Sequence, residues 1–131
     1  ILALSKNGLQ VDSELIYEGD FTEASGFKAA DYFVQKGVTA VFAASDMMAI
    51  GLIKRLKELG VDVPKKVSVV GFDDISLARY ITPTLTTIRQ NKSEMGKSAF
   101  YLLLNLISKQ PINHIILEPE LVKRESTARL R

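Results

Sequence analysis

Polar and aromatic residues that can bind a small molecule follow three stretches patterned as β-strands. They are Asp20-Phe21-Thr22, Ser45-Asp46 and Asp73-Asp74. In open parallel sheets, ligands bind outside the carboxyl ends of the strands, because loops and helix N-termini converge there. An aromatic ring beside fixed carboxylates suits a sugar or nucleoside-sized polar ligand, through ring stacking and hydrogen bonds to hydroxyl or amine groups. The sequence therefore predicts a small-molecule cleft at one edge of a sheet.

Four of these residues also have a purely structural interpretation as helix N-caps. Asp20 or Thr22, and Ser45 or Asp46, are residue types whose side-chain oxygens accept hydrogen bonds from the first N–H groups of a helix. We expect capping to be the main role of Asp46.

The remaining three residues differ in how well a structural role explains them. Phe21 is equally compatible with a place in the core, since one aromatic residue in a loop does not reveal its direction. Asp73 directly follows an apolar run and no good helix begins behind it, so we favour ligand contact there. Asp74 is expected to turn the loop.

Motifs for catalysis are absent from the sequence. Neither a G-x-S-x-G elbow nor a G-x-x-x-x-G-K-[ST] loop occurs, there is no cysteine, and His114 is the only histidine. We expect no enzyme, no metal and no cofactor. The acidic pair and Lys92 resemble the site of a phosphoryl-accepting receiver domain, but there the pair follows the first strand, whereas Asp73-Asp74 comes late. A receiver or hydrolase-type α/β enzyme remains the alternative from another class.

Composition favours a single soluble domain. The 131 residues include 17 basic and 15 acidic side chains, for a net charge of +2, which does not favour nucleic acid or membrane as the main partner. The 47% hydrophobic content suffices for one core. The sequence contains no apolar run of membrane-spanning length, and no basic region precedes the apolar start. We expect a cytoplasmic protein without membrane contact.

Strand and helix patterns alternate along the first two thirds of the chain. Strands are predicted at residues 15–17, 39–44, 67–71 and 85–89, and helices follow the first two of them and end at Gly37 and Gly60. This alternation predicts an α/β fold with a parallel sheet.

The two ends of the chain have distinct patterns. Residues 1–4, followed by Asn7-Gly8, have the pattern of a helix C-terminus, but the sequence contains no matching helix start. We therefore expect the sequence to begin inside a larger domain. The alternative is a frayed terminus. Residues 92–108 form a helix that is apolar nearly all round, which predicts burial on more than one face or pairing with another chain. Two extended pieces, residues 115–117 and 121–122, follow.

Several of these segments together resemble a known family. Residues 39–51 (TAVFAASDMMAIG), 60–64 (GVDVP), 67–74 (VSVVGFDD) and 83–88 (PTLTTI) are similar to the effector-binding core of LacI/GalR bacterial transcriptional repressors. Residues 18–22 (EGDFT) and 121–127 (LVKREST) show a weaker similarity to the same family. It implies a type I periplasmic-binding-protein-like fold with two lobes that bind a sugar or nucleobase between them.

The resemblance also implies roles for individual residues. It places Phe21, Ser45 and Asp73 in the effector cleft, with Phe21 stacking on the ligand and Asp73 accepting hydrogen bonds from it, and it adds Gln90. Many family members carry Asn at the position of Ser45. The family's DNA-binding head does not occur in this sequence, so the chain alone is not expected to bind operator DNA. A periplasmic sugar receptor of the same fold is the alternative among binding proteins.

A division of the chain and a dimer contact follow from the same resemblance. Residues 1–90 correspond to the C-terminal lobe, residues 91–110 to a helix that packs in the other lobe, and residues 111–131 to closing strands and a tail. A homodimer surface is expected on the helix that ends at Gly60 and on the loop after residue 74. Its residues are Met48, Leu52, Leu77, Tyr80 and Ile81. The alternative is that the loop residues close the core beneath them.

Overall fold

The computed structural model describes residues 2–129 and is built around a mixed four-stranded sheet. Its strands are β1 (Ala40–Phe42), β2 (Ser68–Phe72), β3 (Thr86–Arg89) and β4 (Glu120–Val122), adjacent in that order. β1 and β2 are parallel, as are β2 and β3, whereas β4 runs antiparallel to β3. The predicted α/β fold with a parallel sheet is confirmed, and one antiparallel edge strand is added to it.

Within the described residues, four α-helices and two short 3₁₀ helices accompany the sheet. The α-helices are α1 (Leu2–Lys6), α2 (Glu23–Gln35), α3 (Asp46–Glu58) and α4 (Lys92–Ile107), and the 3₁₀ helices are Ser13–Leu15 and Ser76–Arg79. Gly37 and Gly60 follow α2 and α3 with φ of 65° and 69°. Glycine adopts this left-handed conformation without steric cost, so both helices end where the sequence predicts.

The core lies between α3 and one face of the sheet. Leu52 and Leu56 of α3 are almost completely buried together with Val69 and Leu85. α2 packs closely on α3 because Gly26 and Gly51 lie at the crossing. A Cβ atom on Gly26 would lie 1.9 Å from the Met48 carbonyl oxygen, and one on Gly51 would lie 2.0 Å from that of Glu23. The close packing at these two glycines fixes the position of α3 relative to α2.

Two predicted strands are not formed. Residues 15–17 lie partly in the 3₁₀ helix Ser13–Leu15, and together with the end of β1 they line a cavity of about 250 Å³. Residues 115–117 pair with no strand, and Ile116 is 88% exposed. A short apolar run becomes a strand only when a second strand lies beside it to share hydrogen bonds. The sequence of the run itself does not show whether a neighbouring strand is present.

The helix predicted at residues 92–108 is confirmed as α4, which begins after the N-cap Asn91. None of its residues is buried, and Phe100, Leu103 and Ile107 are more than half exposed.

Within residues 2–129, no helix has the length and apolar character needed to cross a bilayer. Ile1, which the sequence assigns to the first helix, lies outside the described residues.

The C-terminal segment returns to the sheet at Ser126. The hydroxyl of this buried residue donates a hydrogen bond to the Val69 carbonyl, at 2.6 Å, and accepts one from the Thr86 N–H, at 2.8 Å. Ser126 therefore ties the tail to both β2 and β3.

Candidate functional site

The four residues predicted to bind a ligand lie at one edge of the sheet. Ser45, Asp73 and Gln90 come shortly after β1, β2 and β3, whose carboxyl ends meet at the same edge because the strands are parallel. Phe21 joins them, since the Ser45 hydroxyl donates a hydrogen bond to the Phe21 carbonyl at 3.5 Å. We call this group of four residues the rim.

Phe21 presents its ring to solvent. It is 65% exposed and adopts a left-handed backbone conformation with φ of 65°, so the alternative of a core position is wrong. The adjacent Thr22 holds this conformation by capping α2, where its hydroxyl accepts a hydrogen bond from the Ser25 N–H at 3.2 Å. An exposed ring on a fixed turn is available for stacking against a ligand.

Asp20 lies beside this turn as an ionised carboxylate. Hydrogen bonds from the side chains of Thr22 and Ser25 lower the pKa of Asp20 to about 2, because they stabilise its charged form. The Thr22 N–H also donates to Oδ1 at 3.0 Å. Asp20 thus stabilises the turn that carries Phe21.

Ser45 is the N-cap of α3. Its Oγ accepts a hydrogen bond from the Met48 N–H at 3.2 Å, and the residue is only 6% exposed. The expectation that Asp46 performs this capping is wrong. The Asp46 carboxylate instead accepts hydrogen bonds from the Ile75 N–H, at 2.8 Å, and from the Thr87 hydroxyl. Burial raises the pKa of Asp46 above its ordinary value, despite these hydrogen bonds.

Asp73 and Gln90 are paired through their side chains. Nε2 of Gln90 donates to Oδ1 of Asp73 at 3.1 Å, and both residues are half-buried. Asp73 has φ of 114°, a rare conformation for a residue with a side chain. Its N–H donates to the Ile88 carbonyl at 2.8 Å, which extends the pairing of β2 and β3 up to the rim.

Asp74 turns the loop, as expected, but its carboxylate is also the centre of an ion-pair cluster. The side chain is 3% exposed and accepts hydrogen bonds from Arg124 and from Nε of Arg89, the latter at 2.7 Å. Arg79 lies 3.6 Å away. Burial by itself raises the pKa of Asp74, but the hydrogen bonds from Arg124 and Arg89 outweigh it and leave the pKa below its usual range. Sequence reasoning missed this cluster because Arg124 lies 50 positions away.

The cavity beside the rim is mainly apolar. Its lining includes Tyr17, Phe21, Phe33, Phe42 and Met48. Within residues 2–129, no three His, Asp or Glu side chains converge to hold a metal ion. The polar groups of the rim are therefore suited to hydrogen bonding and the aromatic groups to stacking.

The five residues assigned to a dimer surface do not share one environment. Leu77 and Tyr80 are exposed, by 42% and 81% respectively. Met48 and Ile81 are partly buried and pack against the core. The assignment of Leu52 is corrected, because its side chain is 2% exposed and belongs to the core between α3 and the sheet.

An α/β fold with an aromatic ring, a carboxylate and an amide at the strand ends has the arrangement in which small-molecule-binding domains hold their ligands. Residues 2–127 match the family described as the periplasmic binding protein-like domain, and the chain belongs to that family. The periplasmic-binding-protein-like fold predicted from the sequence is thereby confirmed.

Relatives of the chain are bacterial transcription regulators. The HTH-type transcriptional regulator MalR of Clostridium butyricum is 39% identical over 127 residues, which are 95% of this chain and 38% of the relative. A LacI family transcriptional regulator from Enterococcus faecium with bound ribose has a TM-score of 0.89 and 32% identity, over 99% of this chain and 49% of that one. The lac repressor dimer bound to operator and the anti-inducer ONPF has a TM-score of 0.86 and 34% identity, over 96% and 44%.

These comparisons confirm the resemblance to the LacI/GalR family. They support the regulator interpretation and neither the periplasmic receptor nor the receiver or hydrolase alternative. The chain spans about two fifths of the length of the curated relatives that it matches.

Proposed function

We propose that the chain is the effector-binding part of a LacI-type transcriptional regulator and that its rim binds a sugar or a similar small polar ligand. The observation that carries the proposal is the placement of an exposed aromatic ring, Phe21, on the same sheet edge as the hydrogen-bonded pair of Asp73 and Gln90. The related structure with bound ribose supports a sugar as the ligand class.

Each rim residue has a definite role in this proposal. The Phe21 ring stacks on the flat, apolar face of the ligand, and the Asp73 carboxylate accepts hydrogen bonds from its hydroxyl groups. Gln90 holds the Asp73 carboxylate in position. Ser45 contributes through the turn at Phe21, since its hydroxyl contacts the Phe21 carbonyl and its side chain is otherwise used to cap α3.

The regulatory part of the proposal concerns the longer protein. Residues 1–90 belong to one lobe and residues 91–110, which include α4, pack in the other, while residues 111–131 provide closing strands and a tail. The ligand binds between the two lobes and favours one relative arrangement. The chain pairs with a second copy, and operator DNA is bound by a head domain outside this sequence; the related lac repressor dimer bound to operator supports this arrangement. The function is binding without catalysis, in the cytoplasm.

The ligand-binding proposal is tested by NMR titration of the 131-residue chain with D-ribose and, separately, with hypoxanthine as a nucleobase probe. One lobe provides half of a cleft, so we expect weak affinity that still produces measurable shifts of backbone amide signals. The expected result is that saturable shifts concentrate at Phe21, Asp73 and Gln90. Shifts that do not saturate, or that spread away from the sheet edge, would contradict the proposal.

Three variants make the titration specific. Phe21→Leu keeps an apolar side chain but removes the ring, and Asp73→Asn removes the charge that strengthens hydrogen bonds to hydroxyl groups. Each is expected to weaken binding by about tenfold. The control is Asp62→Asn, at an exposed position beyond the opposite end of α3. Equal effects of Asp73→Asn and Asp62→Asn would reject the assigned role of Asp73.

A further inference from the structure

Asp46 has a buried carboxylate that the proposed ligand contacts do not use. The residue is 0% exposed, although it stands at the first position of α3, directly after the N-cap. Ser45 already caps that helix through the Met48 N–H. Burying a carboxylate is unfavourable unless its oxygens are hydrogen-bonded, so a residue in this place requires another explanation than capping.

The two carboxylate oxygens of Asp46 connect α3 to two other parts of the sheet edge. Oδ2 accepts the Ile75 N–H at 2.8 Å, and Oδ1 accepts the Thr87 hydroxyl, which lies on β3. Ile75 ends the turn that begins at Asp73. The turn is thus attached to a helix whose next residues on the same face, Ala49 and Ile53, are buried in the core.

The turn needs such an attachment because its backbone is in rare conformations. Asp73 has φ of 114° and Asp74 has φ of 46°. Left-handed conformations are unfavourable for residues with a side chain and persist only where the surroundings hold them. A hydrogen bond from the Asp46 carboxylate to the Ile75 N–H restrains the turn from the side of α3.

The packing around Asp46 leaves space for its carboxylate at one specific place. Gly71 on β2 faces it, and a Cβ atom on Gly71 would lie 2.3 Å from Oδ1 of Asp46. A side chain at position 71 would therefore collide with the carboxylate, and also with Leu85, whose Cδ2 would lie 2.9 Å from that Cβ atom. The absence of a side chain at Gly71 thus leaves the space that the buried Asp46 carboxylate occupies.

We propose that Asp46 is a positioning residue for the rim, which holds Asp73 in its ligand-binding orientation by fixing the Ile75 N–H. The proposal rests on the proposed function in one respect only, namely that Asp73 contacts the ligand. A carboxylate suits the task because it offers two acceptors in a fixed geometry, one for the turn and one for β3. Burial raises the pKa of Asp46, which agrees with a carboxylate largely removed from water.

The test measures amide hydrogen exchange by NMR in the parent chain and in Asp46→Ala and Asp46→Asn. Alanine removes both acceptors, whereas asparagine keeps one oxygen that accepts the Ile75 N–H. In Asp46→Ala, we expect the exchange rate of the Ile75 amide to rise by at least about tenfold relative to the core amides of Leu52 and Val69, as loss of a charge-assisted hydrogen bond implies. Asp46→Asn should restore most of the protection.

The outcomes separate positioning from general stabilisation. If Ile75 and the core amides accelerate together in Asp46→Ala, Asp46 only stabilises the fold and the proposal is rejected. If Asp46→Ala does not fold, Asp46→Ser is the second variant; its side chain keeps a polar group at the start of α3 but is one bond shorter and lacks the acceptor for the Ile75 N–H, so it should accelerate exchange at Ile75 selectively, and uniform acceleration there would also reject the proposal. The exchange measurements use no ligand, so a failure of the D-ribose titration leaves them interpretable.

Discussion

Gln90 and Asp73 lie 17 positions apart in the sequence, yet the side-chain amide of Gln90 donates a hydrogen bond to the Asp73 carboxylate at 3.1 Å. The contact exists because β2 and β3 are parallel neighbours in register, with Phe72 opposite Ile88. Residues that follow the two strands are therefore brought side by side. One of the ligand acceptors proposed for the rim is thus oriented by a residue from the next strand.

Replacing Gln90 should weaken ligand binding without unfolding the chain. In Gln90→Leu the side-chain volume is similar, but the hydrogen bond to Asp73 is lost. We expect the affinity for the probe that binds the parent chain to fall by about 1 kcal/mol, or roughly fivefold. The NMR titration measures this directly. An unchanged affinity would show that Asp73 does not depend on Gln90 for its orientation.

The close crossing of α2 and α3 should not tolerate a methyl group. Gly26→Ala and Gly51→Ala are each expected to lower the free energy of unfolding by about 1–3 kcal/mol, because the new Cβ atoms would overlap backbone carbonyl oxygens. Gly96→Ala on α4 is the matched control, since a Cβ there meets nothing within 4 Å. That change should stabilise the chain by about 0.5–1 kcal/mol. Urea unfolding followed by circular dichroism provides the three values, and similar effects at all three glycines would contradict the crossing geometry.

The ion-pair cluster around Asp74 predicts a specific loss of stability in acid. Its pKa is lowered in the folded state, so its stabilising contribution is complete above the unfolded-state pKa and is lost as the pH falls through the folded-state pKa. Asp74→Asn should therefore lower the free energy of unfolding by about 2–3 kcal/mol at neutral pH and by a smaller amount at about pH 3, because the contribution declines once the pH falls below the unfolded-state pKa of about 3.9.

The control for this prediction is Glu120→Gln. Glu120 contacts the same Arg89, at 3.2 Å, but its side chain is 67% exposed. An exposed ion pair contributes at most about 1 kcal/mol. Urea unfolding at the two pH values compares the variants, and a pH-independent effect of Asp74→Asn would rule out the ion pairs as its cause.

The proposed homodimer predicts a contact between two copies at the exposed loop residues. Tyr80 is 81% exposed beside Leu77, and exposed apolar groups that cluster commonly mark a contact surface. Tyr80→Asp is expected to raise the dimer dissociation constant by at least about tenfold in sedimentation velocity at several concentrations. Tyr101→Asp on α4, at a position 63% exposed, is the comparison. If only Tyr101→Asp weakens association, α4 and not the Tyr80 loop forms the contact.

Much of the fold follows from local patterns in the sequence. The apolar runs that become β1, β2 and β3 are recognisable by their β-branched content, and the helices are recognisable by apolar spacing and by the glycines that end them. Since parallel strands place their carboxyl ends together, the common location of Ser45 and Asp73 could also be inferred. Gln90 is indicated only by the family resemblance. These features depend on residues within a few positions of each other and on one general rule of topology.

Other features depend on partners that are distant in the sequence, and only the tertiary structure decided them. Residues 15–17 carry the pattern of a strand, but no strand of the described residues pairs with them, and a strand requires a hydrogen-bonded neighbour. Asp46 has the sequence context of an N-cap, yet Ser45 performs the capping and the Asp46 carboxylate accepts hydrogen bonds from Ile75 and from Thr87, which is 41 positions away. The hydrogen bonds that a polar side chain makes depend on which donors the folded chain brings within hydrogen-bond distance. The sequence around the residue does not show which donors those are.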